Sequence, residues 1–355
     1  MIVEQQVLDA LRVIIDPDLN QNIVELGFVK DICIEKEKVS CTIELTTPAC
    51  PIKEQFRQQA HDLLIALPNI SHVNINMTAQ VRQAPSKKAI QGIKNIIAVA
   101  SGKGGVGKST TAVNTAIALA QTGAKVGLLD ADIYGPSIPH MMGLQHEKPS
   151  TSEKQLQPLH NYGIATMSIG YLVDESDAMI WRGPMVSGAV MQLIQDVAWG
   201  ELDYLIIDLP PGTGDIHLTL VQKIPLSAAL IVTTPQKIAL LDCARGIAMF
   251  NKVKVPVLGI VENMSEFICP HCNKGSHIFS SKGAEELAKQ HQVSILGHIP
   301  LDLKIRESSD NGIPITAQDP HASQSKIYQS IAGKAASVLS TIHAKKARQI
   351  PIISV

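Results

Sequence analysis

Val7, Leu8, Leu11, Ile14 and Ile15 recur at the spacing of one helical face until Pro17 ends the pattern, which predicts an opening helix. Residues 28–34 then read as a strand. Val39, Cys41, Ile43 and Leu45 alternate with Ser40, Thr42, Glu44 and Thr46, the pattern of a half-buried strand. Ile52, Phe56, Ala60, Leu63, Leu64 and Leu67 mark a second helix, and Val73, Ile75 and Met77 a last strand. The order α-β-β-α-β predicts a small α+β domain over residues 1–80. Residues 81–93, with Pro85, Ser86, Lys87, Lys88 and Gly92, lack periodicity and read as a linker.

From residue 94 the pattern changes. Short apolar runs at 96–100, 126–129, 204–207, 228–232, 257–261 and 295–299 lack alternation, as strands buried on both faces do. Helical patterns such as Val113, Ala116, Ile117 and Ala120 lie between them. The alternation predicts an α/β domain over 94–345, a mostly parallel sheet covered by helices on both faces, followed by a tail at 346–355.

The 355 residues suffice for two domains, and 45% hydrophobic against 18% charged residues is an ordinary globular balance. A net charge of −1 and 3% aromatic content argue against a general nucleic-acid binder, and the charge also argues against an anionic-membrane binder. The start shows no secretory or mitochondrial targeting pattern, and no uninterrupted apolar run reaches the roughly 18 residues of a spanning helix. A cytoplasmic location is the expectation.

Residues 102–109, Gly-Lys-Gly-Gly-Val-Gly-Lys-Ser, follow a predicted strand and open a predicted helix, the context of a phosphate-binding loop. Gly102, Gly104, Gly105 and Gly107 free the backbone to turn its N–H groups, with those of Val106 and Thr110, toward phosphate oxygens at a helix N-terminus. Lys108 is expected at the β- and γ-phosphates and the Ser109 hydroxyl at Mg²⁺. Asp130 and Asp132 end one predicted strand and Asp208 another, where open α/β sheets present ligand groups. Asp208 is in place for a carboxylate acting on Mg²⁺, and Gly212 for an N–H toward the γ-phosphate.

Cys269-Pro-His-Cys272 supplies two thiols, whereas a tetrahedral zinc or a cubane cluster normally takes four protein ligands. His271 and His277 completing a zinc site, a dithiol couple, and a two-fold dimer combining two pairs all fit the motif. Cys50 precedes a predicted helix, whose dipole favours thiolate, although an inert buried cysteine fits equally. Cys33, Cys41 and Cys243 fall in apolar patterns and read as packing.

Lys103, at the second position of the loop, resembles the deviant Walker A group, which includes MinD, ParA and the Mrp/ApbC carriers. That resemblance implies that Lys103 contacts the nucleotide of the other protomer in an ATP-bound dimer. It further implies that Asp132 positions the attacking water, that Asp130 lies near Mg²⁺, that Asn263 reads adenine, and that 301–306, including Arg306, forms the loop over the base. Residues 101–110, 130–137, 208–215 and 262–272 together resemble the Mrp/ApbC family of iron–sulfur carrier ATPases. The implied function is an ATPase that holds a [4Fe–4S] cluster between two protomers through Cys269 and Cys272. It would receive the cluster from an assembly scaffold and pass it to apo iron–sulfur proteins. Asp16-Pro-Asp-Leu, residues 23–29 and residues 45–51 resemble the accessory domain of iron–sulfur assembly proteins, which leaves a cluster or thiol role open for Cys50. The rival reading is a positioning ATPase of the MinD or ParA type acting on membrane or DNA. MinD-like proteins end in a lipid-binding amphipathic helix, whereas residues 327–342 here read as a core-packing helix.

Overall fold

The computed structural model describes residues 2–83, 90–152, 155–173, 183–272 and 274–348. They fall into two compact units, Met1–Arg82 with Ala336–Val355, and Gln83–Ala335. Within the 81–93 stretch, residues 84–89 lie outside the described residues. The units divide within the last helix, Ser323–Arg348, and not at the expected boundary of 345. That helix carries one continuous buried stripe, Tyr328, Ile331, Ala332, Ala335, Ala336 and Leu339, so its apolar pattern shows no break.

In the first unit, α1 (Glu4–Leu11) is followed by β1 (Val29–Glu35), β2 (Lys38–Leu45), α2 (Lys53–Ile65) and β3 (His72–Ala79). β1 and β2 pair antiparallel, and β3 returns parallel to β2 by way of α2. The alternation along β2 aims Val39, Cys41, Ile43 and Leu45 at a core shared with Val7 and Leu11 of α1 and Phe56, Ala60 and Leu64 of α2.

The second unit begins with β4 (Ile93–Ser101) and α3 (Lys108–Gln121), then β5 (Val126–Asp130), β6 (Leu159–Asn161) and β7 (Ile164–Ser168). α4 (Gly183–Gln195), β8 (Leu202–Asp208), α5 (Asp215–Lys223), β9 (Ala228–Thr233) and α6 (Lys237–Lys252) follow. β10 (Val257–Ile268), β11 (Gly275–Ser276), α7 (Gly283–His291), β12 (Ile295–Leu301) and α8 (Leu303–Asp310) lead to the last helix. The sheet order is β6-β7-β5-β8-β4-β9-β10, with β11 and β12 both paired to β10. The pairings of β6 with β7 and of β11 with β10 are antiparallel and the rest parallel. β5, β7 and β9 are buried along their whole length, which is why their sequences do not alternate.

Two features depart from the sequence reading. β7 is an additional buried strand, and β10 runs to Ile268, well past the expected end at 261. Met264 takes φ 55° there, an irregularity across which β10 goes on to form a hairpin with β11.

Candidate functional site: a phosphate loop, three carboxylates and a cysteine hairpin

The chain turns from β4 into α3 at the centre of the sheet, where β8 flanks β4 on one side and β9 on the other. The C-terminal end of the central strand, where sheet order reverses, is where open α/β folds bind ligands. Gly105 (φ 78°) and Gly107 (φ 82°) take left-handed conformations that other residues resist, and Gly107 is the N-cap of α3. A Cβ on Gly107 would meet the Asn263 amide nitrogen at 2.1 Å, and one on Gly102 would lie 2.5 Å from the Asp242 backbone carbon. Close approach to the Asp242 backbone requires Gly102, whereas the left-handed φ requires Gly107, since the Asn263 side chain can swing aside.

Gly104 and Gly105 are exposed, Val106 is buried beneath the loop, and Ser109 and Thr110 are half-buried on the first turn of α3. Lys108 is only 6% exposed, and its Nζ donates to Asp208 Oδ1 at 2.6 Å. It lies 3.9 Å from Asp132 Oδ2 and 3.4 Å from Ser109 Oγ. Strand register sets this constellation, because Asp208 is the β8 partner of Asp130 on β5 and of Val99 on β4. One lysine thus faces a surplus of carboxylate. Burial pushes the Asp132 carboxyl up, Lys108 pulls it back, and Asp208 adds to the rise. Asp208 Oδ2 is buried and has no hydrogen-bond partner among the described residues. This orphaned carboxylate oxygen and the Ser109 hydroxyl, on side chains that Lys108 Nζ approaches together, are the kind of oxygen donors that fit Mg²⁺.

Asp130, expected near Mg²⁺, has both oxygens occupied. Oδ1 accepts from the Asp132 N–H at 3.1 Å, and Oδ2 accepts from the Ile138 N–H at 3.2 Å and from Ser168 Oγ at 3.1 Å. It is fully buried, and burial followed by the nearby Asp208 charge raises its pKa. Its contacts make it the organiser of the loop that presents Asp132.

Other expected residues also find specific partners. The Gly212 N–H, expected at the γ-phosphate, donates to the Ser101 carbonyl at 2.9 Å. Lys103 Nζ donates to Gln236 Oε1 at 3.2 Å within the same chain. Asn263 donates to the Val106 carbonyl at 2.8 Å, which ties β10 to the phosphate loop. Residues 303–310 form α8, capped by Asp302, and not a loop. There the Arg306 guanidinium donates to Asp310 Oδ2 at 2.8 Å and Glu307 Oε1 at 3.0 Å. Its charge is neutralised on its own helix.

Cys269 and Cys272 lie between β10 and β11, at the tip of the hairpin. Cys272 is exposed and Cys269 half-exposed. Backbone N–H groups of His271 and Cys272 lower the Cys269 pKa, the expected effect of donors aimed at a thiolate. Among the described residues, no group of three metal-ligating atoms within 4.8 Å of one another includes either cysteine. His277, a candidate zinc ligand from sequence, has its Nδ1 3.0 Å from the Ser265 carbonyl. For Cys50 the sequence leaves a helix-favoured thiolate and an inert buried cysteine both open. Burial pushes its thiol up, the Ile52 backbone N–H at the helix start lowers it, and the nearby Asp16 and Asp18 charges outweigh Lys53.

The sequence reading missed Gln236 and Ser168, although both follow or end strands, where ligand-side residues gather. It also missed His217 of α5, which is buried against Phe250 with the Pro210 backbone carbonyl near its ring. No signal short of the fold exposes that residue.

A Gly-rich strand-to-helix loop, a buried lysine and strand-end carboxylates on a parallel sheet define a P-loop NTPase. The chain belongs to the NUBPL iron-transfer P-loop NTPase family, whose pattern matches residues 92–336, and residues 4–77 match the iron–sulfur cluster assembly protein family. It is 46% identical over 346 residues to the iron–sulfur cluster carrier protein of Synechocystis, covering 94% of this chain and 98% of that one. It is 57% identical to the iron–sulfur cluster transfer protein NUBPL of Dictyostelium discoideum over 69% of this chain and 77% of that one. Among solved structures, a nucleotide-binding protein in complex with ADP from Archaeoglobus fulgidus matches with 41% identity and a TM-score of 0.58, over 66% of this chain and 91% of that one. The MinD cell division ATPase of Pyrococcus furiosus shares the fold, with 23% identity and a TM-score of 0.51 over 68% of this chain and 97% of that one.

Proposed function

We propose that this chain is an ATP-hydrolysing carrier that holds a [4Fe–4S] cluster between two protomers and delivers it to apo iron–sulfur proteins. The observation that carries the reading is the exposed Cys269/Cys272 hairpin on the same strand whose Asn263 grips the phosphate loop. Two such hairpins related by a two-fold axis supply four thiolates, the complement of a cubane cluster. Named relatives that carry or transfer iron–sulfur clusters support the cargo.

Residues 102–110 bind the triphosphate, with Lys108 exchanging its contact to Asp208 for the β- and γ-phosphates. Ser109 and Asp208 hold Mg²⁺, which neutralises charge developing on the phosphate oxygens. Asp132 orients the water that attacks the γ-phosphorus, and the bond to the β-phosphate oxygen breaks to give ADP and phosphate. Asp130 keeps the Asp132 loop in register. Lys103 leaves Gln236 to reach the partner's nucleotide, so ATP favours the dimer that the cluster requires. The cluster comes from an assembly scaffold, and the setting is cytoplasmic. Residues 1–80 form the accessory domain and residues 94–335 the ATPase domain.

Anaerobic reconstitution tests the reading. The expected result is about two irons per chain, one four-iron cluster per dimer. Cys269→Ser or Cys272→Ser should abolish uptake and leave ATP binding intact, and Lys108→Ala should do the reverse. Zinc held by Cys269 and Cys272, with no cluster uptake, would overturn it.

A further inference from the structure

A second group of metal-ligating side chains lies in the ATPase unit, away from the cysteine hairpin. Glu262 is on β10, where its register partner on β12 is His298, and Glu285 comes from the first turn of α7. Glu262 Oε1 is 3.1 Å from His298 Nδ1, and Glu285 Oε1 is 3.6 Å from His298 Nε2. Each of the three offers a ligand atom within 4.8 Å of the others. The two His298 contacts fall on different ring nitrogens, and one ion takes only one of them. Ligands of a tetrahedral zinc sit about 3.4 Å apart, so a shared ion would draw three ligand atoms that now lie within 4.8 Å of one another slightly closer.

A simple ion pair leaves part of this cluster unexplained. The Glu262 side chain is 4% exposed, and its Oε2 is buried with no hydrogen-bond partner among the described residues. His298 engages only Oε1, and Lys334, whose charge acts on the His298 ring, makes no ion pair with any of the three among the described residues. A carboxylate oxygen sealed from water without a donor calls for a cation, and a metal bound by the carboxylate would supply one.

We propose that Glu262, Glu285 and His298 form a binding site for a divalent first-row transition cation such as Zn²⁺. One imidazole and two carboxylates suit zinc, manganese or ferrous iron, with water completing the coordination. The site clamps β10, α7 and β12 together. It does so one residue before Asn263, which holds the Val106 carbonyl, and seven before Cys269. Metal occupancy therefore stiffens the strand that joins the phosphate loop to the hairpin, a role separate from cluster binding.

The test uses the full chain carrying Cys269→Ser and Cys272→Ser, so that the hairpin thiols are silent. Dialysis against Zn²⁺ followed by metal analysis should leave one tightly held zinc per chain, and zinc should raise the thermal midpoint. His298→Ala and Glu285→Gln, at side chains 42% and 47% exposed, should fold normally and each weaken uptake on the order of 100-fold, with the midpoint shift lost. Glu262→Gln should do the same where it folds. No retained zinc in the thiol-free chain, or equal uptake by the His298→Ala variant, overturns the proposal, the latter because it assigns the metal to other surface histidines.

Discussion

The Asn263 side-chain amide donates to the Val106 carbonyl at 2.8 Å, so the strand that ends in the cysteine hairpin is fastened to the phosphate loop. Removing the amide deletes one net hydrogen bond, worth about 1 kcal/mol. Asn263→Ala should therefore weaken ATP binding by about fivefold. The larger effect should be on communication. Hydrogen exchange across residues 264–276 should respond to ATP in the parent chain and not in the variant. An unchanged response would show that the coupling runs through other contacts.

Lys108 and Asp208 form a buried ion pair, with side chains 6% and 0% exposed. Breaking such a pair from one side leaves an uncompensated charge and costs about 3–5 kcal/mol. Lys108→Ala should lower unfolding stability by that order and abolish nucleotide binding. The double change Lys108→Ala, Asp208→Asn removes both charges, so it should recover most of the stability and none of the binding. Chemical denaturation together with a fluorescent nucleotide separates the two effects. A single variant as stable as the parent would contradict the picture of a sealed pair.

The architecture and the phosphate site were legible because each rests on local signals. Unbroken apolar runs gave the parallel strands, and residues 102–109 form one contiguous motif, although the Asp242 backbone that requires Gly102 is distant in sequence. β7 escaped because Thr166 and Ser168 dilute its apolar run. Both are satisfied in the interior, Thr166 by the Tyr171 hydroxyl at 3.3 Å and Ser168 by Asp130, and no sequence pattern announces such long-range partners. Asp130 shows the same limit, since a strand-end aspartate can face a metal or cap its own loop, and only the Ile138 and Ser168 contacts decide. Residues 301–306 are expected as a loop only through the family resemblance, whereas Asp302 accepts from the Lys304 N–H at 2.7 Å and starts a helix.

His217 provides a pH test. Burial lowers its pKa from 6.5 to about 4, against the Pro210 backbone hydrogen bond and with the Lys108 charge acting in the same direction as burial. The unfolded chain therefore binds a proton at this site between about pH 6.5 and pH 4 that the folded chain refuses. Stability from this group is complete above pH 6.5 and falls as the solution is acidified toward pH 4, by at most about 3 kcal/mol. His217→Leu should flatten that limb of the stability profile relative to the parent. Identical acid slopes would mean that the imidazole is solvated in the folded chain.

The cysteines should separate by reactivity according to their surroundings. Burial drives the Cys41 thiol to about 11 and the Cys243 thiol to about 12, and it raises Cys50 as well. Cys269 moves the other way because backbone donors favour its thiolate. The thiolate is the reactive form, so Cys269 should be alkylated faster than Cys50 at pH 7.5. Exposed Cys33 should react without the delay of the buried thiols. Timed iodoacetamide labelling of the cluster-free chain, read by peptide mass spectrometry, gives the order directly. Cluster loading should then protect Cys269 and Cys272 and leave the Cys33 and Cys50 rates unchanged. If Cys50 were labelled as fast as Cys269, its burial would be misjudged and a thiolate role in the first unit would regain support.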